Sequence, residues 1–173
     1  MTQDIEIPKI SQKHLLGIKY LSIDDINKIL ELAIFFKLKN KEKNKNYPIL
    51  TGRTIINLFF EPSTRTLISF EIAAKRLGAD VINMNIEGSS LRKGETLSDT
   101  AHTIGAMSPD LVVIRHSEDN SAEEISKLLE CPVVNAGEGI NEHPTQALLD
   151  AFTILDHKKT LKDLIVSICG DLE

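Results

Sequence analysis

The stretch that decides the fold is Thr54–Leu77, TIINLFFEPSTRTLISFEIAAKRL, closed by Gly78. Its opening run, Thr54–Phe60, is almost continuously apolar. A strand of that kind is buried on both faces, as in a parallel sheet covered by helices. From Thr64 the apolar spacing becomes helical. Leu67, Phe70, Ala74 and Leu77 share one face, and Gly78 stops the run. A buried strand that feeds straight into a helix is the opening of a βαβ unit.

The alternation repeats outward from there. Val81–Asn85 predicts a short strand, and Leu97–Met107 a helix with Pro109 just beyond it. Leu111–Arg115 (LVVIR) predicts a strand, Ala122–Leu129 a helix, and Pro132–Asn135 another short strand. Thr145–Leu155 reads as a helix behind Pro144, a residue suited to a first helical turn. Leu164–Cys169 (LIVSIC) predicts a last strand. Upstream, Ser22 is a plausible N-cap, with Asp24 and Asp25 in the first turn. Ile23, Ile26, Ile29, Leu30 and Ala33 follow on one face. That pattern fades into Lys37–Asn46, KLKNKEKNKN, a solvated helix end running into a flexible loop. The chain has no internal repeat. The whole pattern predicts an α/β domain with a parallel sheet flanked by helices.

Composition narrows the function. The chain has 173 residues, 42% hydrophobic and 26% charged, which suits a soluble globular domain. Its 20 Lys+Arg against 25 Asp+Glu leave a net charge of −5, a poor basis for general binding to nucleic acid or anionic membranes. There is no tryptophan and aromatics are 5%, so stacking platforms for single strands are lacking. Cys131 and Cys169 support neither a disulfide framework nor a four-ligand zinc site. The acidic start lacks the pattern of a signal peptide, and no apolar run approaches the roughly 20 residues that span a bilayer. A cytoplasmic location is expected, with no membrane and no nucleic acid among the partners.

In such sheets ligands sit at the carboxyl ends of the strands. Polar clusters fall there. Ser63-Thr64-Arg65-Thr66 stands at a strand-to-helix junction, where Ser and Thr cap the helix and unpaired amides with the helix dipole make an anion cradle. Arg65 adds a planar fork suited to phosphate oxygens. On its own the segment reads equally well as a plain N-cap with a surface arginine. Arg115 ends a buried strand, and could equally snorkel into water. His143 and Gln146 flank a helix N-terminus, although a loop histidine more often bonds a backbone carbonyl. Lys93 sits between Gly88 and Gly94, in a setting where a solvated lysine is the ordinary outcome. Taken together, Arg65, Lys93, Arg115 and His143 follow successive strands on one sheet edge, which suits a phosphorylated small molecule. No Walker loop, dinucleotide fingerprint, nucleophile elbow or H-E-x-x-H pair occurs. Chemistry by positioning and electrostatic stabilisation is expected, with no metal, cofactor or covalent intermediate.

At these residues the chain resembles a known family. Phe59–Thr66, FFEPSTRT, is similar to the signature of the aspartate and ornithine carbamoyltransferases, whose core is S-T-R-T. His143-Pro144-Thr145-Gln146 resembles the family's H-P-x-Q motif. Ser89-Ser90-Leu91-Arg92-Lys93-Gly94-Glu95-Thr96 resembles the loop of the aspartate branch. Leu67, where the ornithine branch usually has another arginine, also favours the aspartate branch.

The resemblance implies a four-stranded carbamoyl-phosphate-binding domain over residues 1–157, with residues 158–173 holding the first strand of a second, aspartate-binding α/β domain. Family chains are considerably longer, so a fragment of such a chain is expected. The implied reaction transfers the carbamoyl group of carbamoyl phosphate to the α-amino group of L-aspartate, a step of pyrimidine biosynthesis. Arg65 and Thr66 would bind the phosphate, and Ser63 and Thr64 would give backbone donors. Arg115 and His143 would contact the carbamoyl oxygen and the phosphate region, while Gln146 would hold the carbamoyl amino group. Lys93, with Ser89, would enter a neighbouring subunit's site in a homotrimer, which regulatory chains could join. An ornithine-type or other acceptor and a non-catalytic phosphate-binding module remain the rival readings.

Overall fold

The computed structural model describes residues 6–85 and 96–170. Among them, four strands, β1 (Thr54–Phe59), β2 (Asp80–Asn85), β3 (Leu111–His116) and β4 (Val133–Glu138), form one sheet in the order β2-β1-β3-β4. Every neighbouring pair is parallel. The helices are α1 (Ile23–Lys39), α2 (Thr64–Arg76), α3 (Leu97–Ala106), α4 (Ser121–Leu128) and α5 (Pro144–Lys158). None of the described helices is long and apolar enough to cross a membrane.

The continuous apolar character of β1 has the expected cause. Ile56 and Leu58 pack with Ala101 and Ile104 of α3 and Ala122 and Ile125 of α4. Ile55 and Phe59, on the other face, pack with Ala74 of α2 and Ala136 of β4. Burying each such large apolar side chain stabilises the sheet by about 1.5–3 kcal/mol. The one polar residue inside β1, Asn57, is fully buried and donates to Asn83 Oδ1 at 2.8 Å.

The sheet order locates the crevice. From β1 the chain first steps outward to β2, then returns to β3 on the other side of β1. The carboxyl ends of β1 and β3 therefore border the point where the winding reverses, the usual ligand crevice of open α/β sheets.

Residues before α1 form a strap over the β4 edge. Leu15 N–H donates to Val133 O and Asn135 N–H donates to Leu15 O, both at 2.9 Å. Val133 N–H donates to His14 Nδ1 at 3.1 Å. The strap thus covers a sheet edge that would otherwise offer unpaired backbone groups. It is anchored at buried Asp25. That carboxylate accepts from Ser11 N at 2.8 Å, Ser11 Oγ at 2.6 Å, Ser22 Oγ at 2.7 Å and Ser22 N at 3.1 Å. Those donors, the Ser11 hydroxyl first, hold its pKa well below the usual carboxylate range.

Three local expectations are corrected. β4 does not end at Asn135 but continues to Glu138, and residues 135–138 are all buried. Their composition, NAGE, hides a strand that the pairing of Glu138 with His116 prolongs past an irregularity after Ile114. Ile23, expected on the apolar face of α1, is 80% exposed, whereas Leu30 on that face is buried. Leu164–Cys169 forms no strand. A strand exists only within a ladder, and this segment has no ladder partner among the described residues. Ile165, Val166 and Ile168 are exposed accordingly.

Candidate active site

At the carboxyl end of β1, Phe60 N–H donates to Arg115 O at 2.9 Å and ties the exit of β1 to β3. The chain then turns into α2 with Ser63 at the N-cap. The Ser63 side chain does not cap the helix, contrary to the sequence expectation. Its hydroxyl instead donates to Thr66 Oγ1 at 2.9 Å. The first-turn amides of α2 therefore have neither an intrahelical acceptor nor a side-chain acceptor among the described residues, and the helix dipole adds partial positive charge there. Arg65 and Thr64 are exposed in this turn, and Thr66 is half-buried.

Arg115 does not snorkel outward. It is the penultimate residue of β3, with its side chain 24% exposed. Nη1 donates to Ala136 O at 3.1 Å, and Nη2 lies 3.5 Å from Glu61 Oε2. Nε is buried with no acceptor among the described residues. That desolvation is a cost a merely structural arginine at a strand end avoids by turning to water.

The backbone beside Arg115 has to be glycine. Gly137 has φ +112°, and a Cβ there would stand 2.4 Å from Arg115 Nη1 and 3.1 Å from His143 Cδ2. Close approach of backbone to two functional side chains, with positive φ, is the situation only glycine tolerates.

His143 is the N-cap of α5, ahead of Pro144 at the first helical turn. Burial, and next the nearby Arg115 charge, push its pKa below the ordinary histidine value. The imidazole is therefore neutral at pH 7 and keeps one donor and one acceptor nitrogen. Gln146 is exposed one turn into α5, with Nε2 donating to Asp150 Oδ1 at 3.0 Å.

Ser63, Arg65, Thr66, Arg115, His143 and Gln146 line one cleft of about 760 Å³ between α2, β3 and α5. Five of the expected site residues beyond Ser63 thus come together from three separate parts of the chain. Thr64 belongs to the same turn but is not on the lining. Lys93 and Ser89 lie outside the described residues. Among the described residues, the lining contains two guanidinium groups, a helix N-terminus, a neutral imidazole and a carboxamide, and no carboxylate. Such a set stabilises a small polyanion and charge that develops on its oxygens. Sequence reasoning missed Ser69, Phe70, Thr145 and Leu149 on the wall. It also gave no role to Glu61 or Gly137. The available signal for Gly137 was its place in Asn135-Ala136-Gly137-Glu138-Gly139, a glycine-bearing stretch at the end of an apolar run.

Fold and cleft define an α/β anion-binding domain built around a strand–S-T-R-T–helix turn. The family profile described as aspartate/ornithine carbamoyltransferase, carbamoyl-P binding domain, matches residues 13–156. The chain belongs to that family. The aspartate carbamoyltransferase catalytic subunit of Pelagibacter ubique is 58% identical over 164 residues, covering 95% of this chain and 52% of that protein. The subunit of the same name from Parvibaculum lavamentivorans is 54% identical over 165 residues, 95% of this chain and 50% of that one. The chain thus spans about half the length of the curated relatives it matches. Among solved structures, aspartate transcarbamoylase from Trypanosoma cruzi in complex with carbamoyl phosphate superposes with a TM-score of 0.82 at 38% identity, covering 90% of this chain and 49% of that one. The catalytic subunit of M. jannaschii aspartate transcarbamoylase gives 0.77 at 40% identity, covering 86% and 48%.

Proposed function

We propose that this chain is the carbamoyl-phosphate-binding part of an aspartate carbamoyltransferase. The single observation that carries the reading is the convergence of Arg65, Thr66, Arg115, His143 and Gln146 on one cleft whose described lining holds no carboxylate. The first turn of α2, with Arg65 and Thr66, takes the phosphate. Arg115 and His143 meet the carbamoyl oxygen and the bridging region, and Gln146 takes the carbamoyl amino group. The neutral α-amino group of L-aspartate attacks the carbamoyl carbon and forms the C–N bond. The tetrahedral intermediate collapses with cleavage of the C–O bond to phosphorus, and the electron pair leaves with phosphate. The amine proton passes to the departing phosphate or to water. Arg65, Arg115 and His143 stabilise the oxyanion and the leaving dianion as preorganised donors. Juxtaposing two bound substrates supplies the entropic part of the acceleration.

The same reading assigns residues 158–173 to the start of the aspartate-binding domain. It places Lys93 and Ser89 of one subunit in the site of its neighbour within a homotrimer. It also makes the protein cytoplasmic. Support for the aspartate acceptor comes from the Lys93-Gly94-Glu95-Thr96 motif, Leu67 and the names of the close relatives. The test is calorimetric titration of the chain with carbamoyl phosphate and, separately, with inorganic phosphate. Carbamoyl phosphate is expected to bind at least tenfold more tightly. Equal affinities would remove the claim of carbamoyl recognition and leave a phosphate site only.

A further inference from the structure

Asn135 lies outside the cleft, yet it touches the supports of both Arg115 and His143. It is 0% exposed within β4. Its Oδ1 accepts from Gly137 N–H at 2.8 Å. Its Nδ2 donates to Leu16 O at 2.9 Å and reaches Glu142 O at 3.4 Å. The carboxamide thus joins three chain segments: the N-terminal strap, the end of β4, and the residue just before His143.

The consequence lies in one peptide plane. The Ala136–Gly137 peptide has its N–H clamped by Asn135 Oδ1, and its carbonyl is the acceptor for Arg115 Nη1 at 3.1 Å. A peptide unit is rigid, so fixing the N–H fixes where the C=O points. Gly137 has a positive φ, +112°, which glycine adopts freely, and the Asn135 clamp selects this orientation of the peptide. On the other side, Nδ2 reaches the carbonyl of Glu142 at 3.4 Å, which Glu138 N–H also bonds at 3.2 Å, just before His143. A shorter side chain cannot span from β4 to both segments, and an apolar one would leave the Gly137 N–H and the Leu16 carbonyl without this partner.

We propose that Asn135 is a positioning residue, which sets Arg115 and His143 relative to each other through the Ala136–Gly137 peptide and the Glu142 carbonyl. It acts on the carbamoyl end of the cleft and leaves the α2 end untouched. The binding arm of its test rests on the function proposed above. A second, ligand-free arm does not, so the two can fail separately.

Asn135→Ser should retain the fold by circular dichroism. Its affinity for carbamoyl phosphate should fall at least tenfold while that for inorganic phosphate changes less than threefold. The titration midpoint of the His143 ring, followed by NMR without ligand, should move toward the ordinary histidine value as the ring loosens from Arg115. Asn135→Asp keeps an acceptor for Gly137 but loses the donor to Glu142, and should show the His143 shift with a smaller loss of carbamoyl phosphate. An unmoved His143 midpoint in folded variants, or equal losses for the two ligands, would overturn the proposal. Loss of the fold in both variants would overturn it too, in favour of a residue that only supports the domain. Should the native chain fail to discriminate the two ligands, the functional reading falls, and the His143 midpoint alone decides the role of Asn135.

Discussion

The two ends of the cleft are built in opposite ways. The α2 end consists of consecutive residues, Ser63–Thr66, with exposed Arg65 and first-turn amides that no side chain caps. The β3–β4 end draws Arg115, Ala136, Gly137 and His143 from distant parts of the chain and rests on the buried side chain of Asn135. The first end needs only a helix start. The second needs a folded sheet, a positive-φ glycine and the N-terminal strap. The difference teaches that a charged helix start is locally encoded here, whereas the geometry that sets Arg115 against His143 is a tertiary property.

Four experiments break or sharpen that contrast. Gly137→Ala carries the largest expected effect. A Cβ placed 2.4 Å from Arg115 Nη1 at positive φ displaces the guanidinium. Carbamoyl phosphate affinity should fall about a hundredfold, roughly 2.7 kcal/mol, with phosphate affinity within a few-fold of native. Comparable losses for both ligands would erase the distinction between the two ends.

Arg65→Ala acts at the other end and should weaken both ligands alike. Removing a charge-assisted hydrogen-bond donor is worth about 2 kcal/mol, or roughly thirtyfold. Arg65→Lys should cost only about fivefold, since the charge survives but the planar fork does not. Thermal melts should be unchanged for both. A large drop in melting temperature would make Arg65 structural.

Asp25→Ala tests the strap. Loss of the acceptor for Ser11 and Ser22 should speed hydrogen exchange at the Leu15 and Asn135 amides and lower the urea midpoint. Phosphate binding at the α2 end should be retained. Because the folded pKa of Asp25 is depressed, its contribution is present above about pH 4, the ordinary carboxylate value. It is lost as pH falls through the folded value. The native chain should therefore lose stability steeply in strong acid, and Asp25→Ala should lose less. Equal acid sensitivity would remove Asp25 as the anchor.

The smallest effect concerns the histidines. Burial lowers the pKa of His14, His116 and His143. His14 and His116 also accept backbone N–H groups at Nδ1, which a protonated ring cannot do. The unfolded chain binds more protons than the native one just below the ordinary histidine pKa, so stability falls as pH drops from about 7 to 5. His143→Gln should flatten that slope slightly, as read from urea midpoints across the range. An unchanged slope would mean that His143 is no more buried than a free histidine.

Much of this was legible in advance. The shift from continuous to helical apolar spacing across Thr54–Leu77 announces a buried strand and a following helix, because burial on two faces and burial on one stripe leave different periodicities. The end of β4 was not legible. Asn135, Gly137 and Glu138 are polar or glycine, and their burial comes from partners such as Leu16, Arg115, and Ala122 at the start of α4. Leu164–Cys169 shows the converse error, an apolar run that forms no strand because periodicity reports a tendency and a ladder requires a neighbour.

Local chemistry alone settles the parallel α/β character, the helix starts at Ser22 and Thr64, and the presence of Arg65 at an anion-attracting turn. Those depend on residues within a few positions of one another, where spacing and caps act directly. Tertiary contacts decide that Arg115 turns back onto Ala136 O and that Asn135 joins the strap to the entry of His143. Each of these is a choice among competing hydrogen-bond partners. Burial makes that choice costly to get wrong, and only the assembled fold supplies the winning partner.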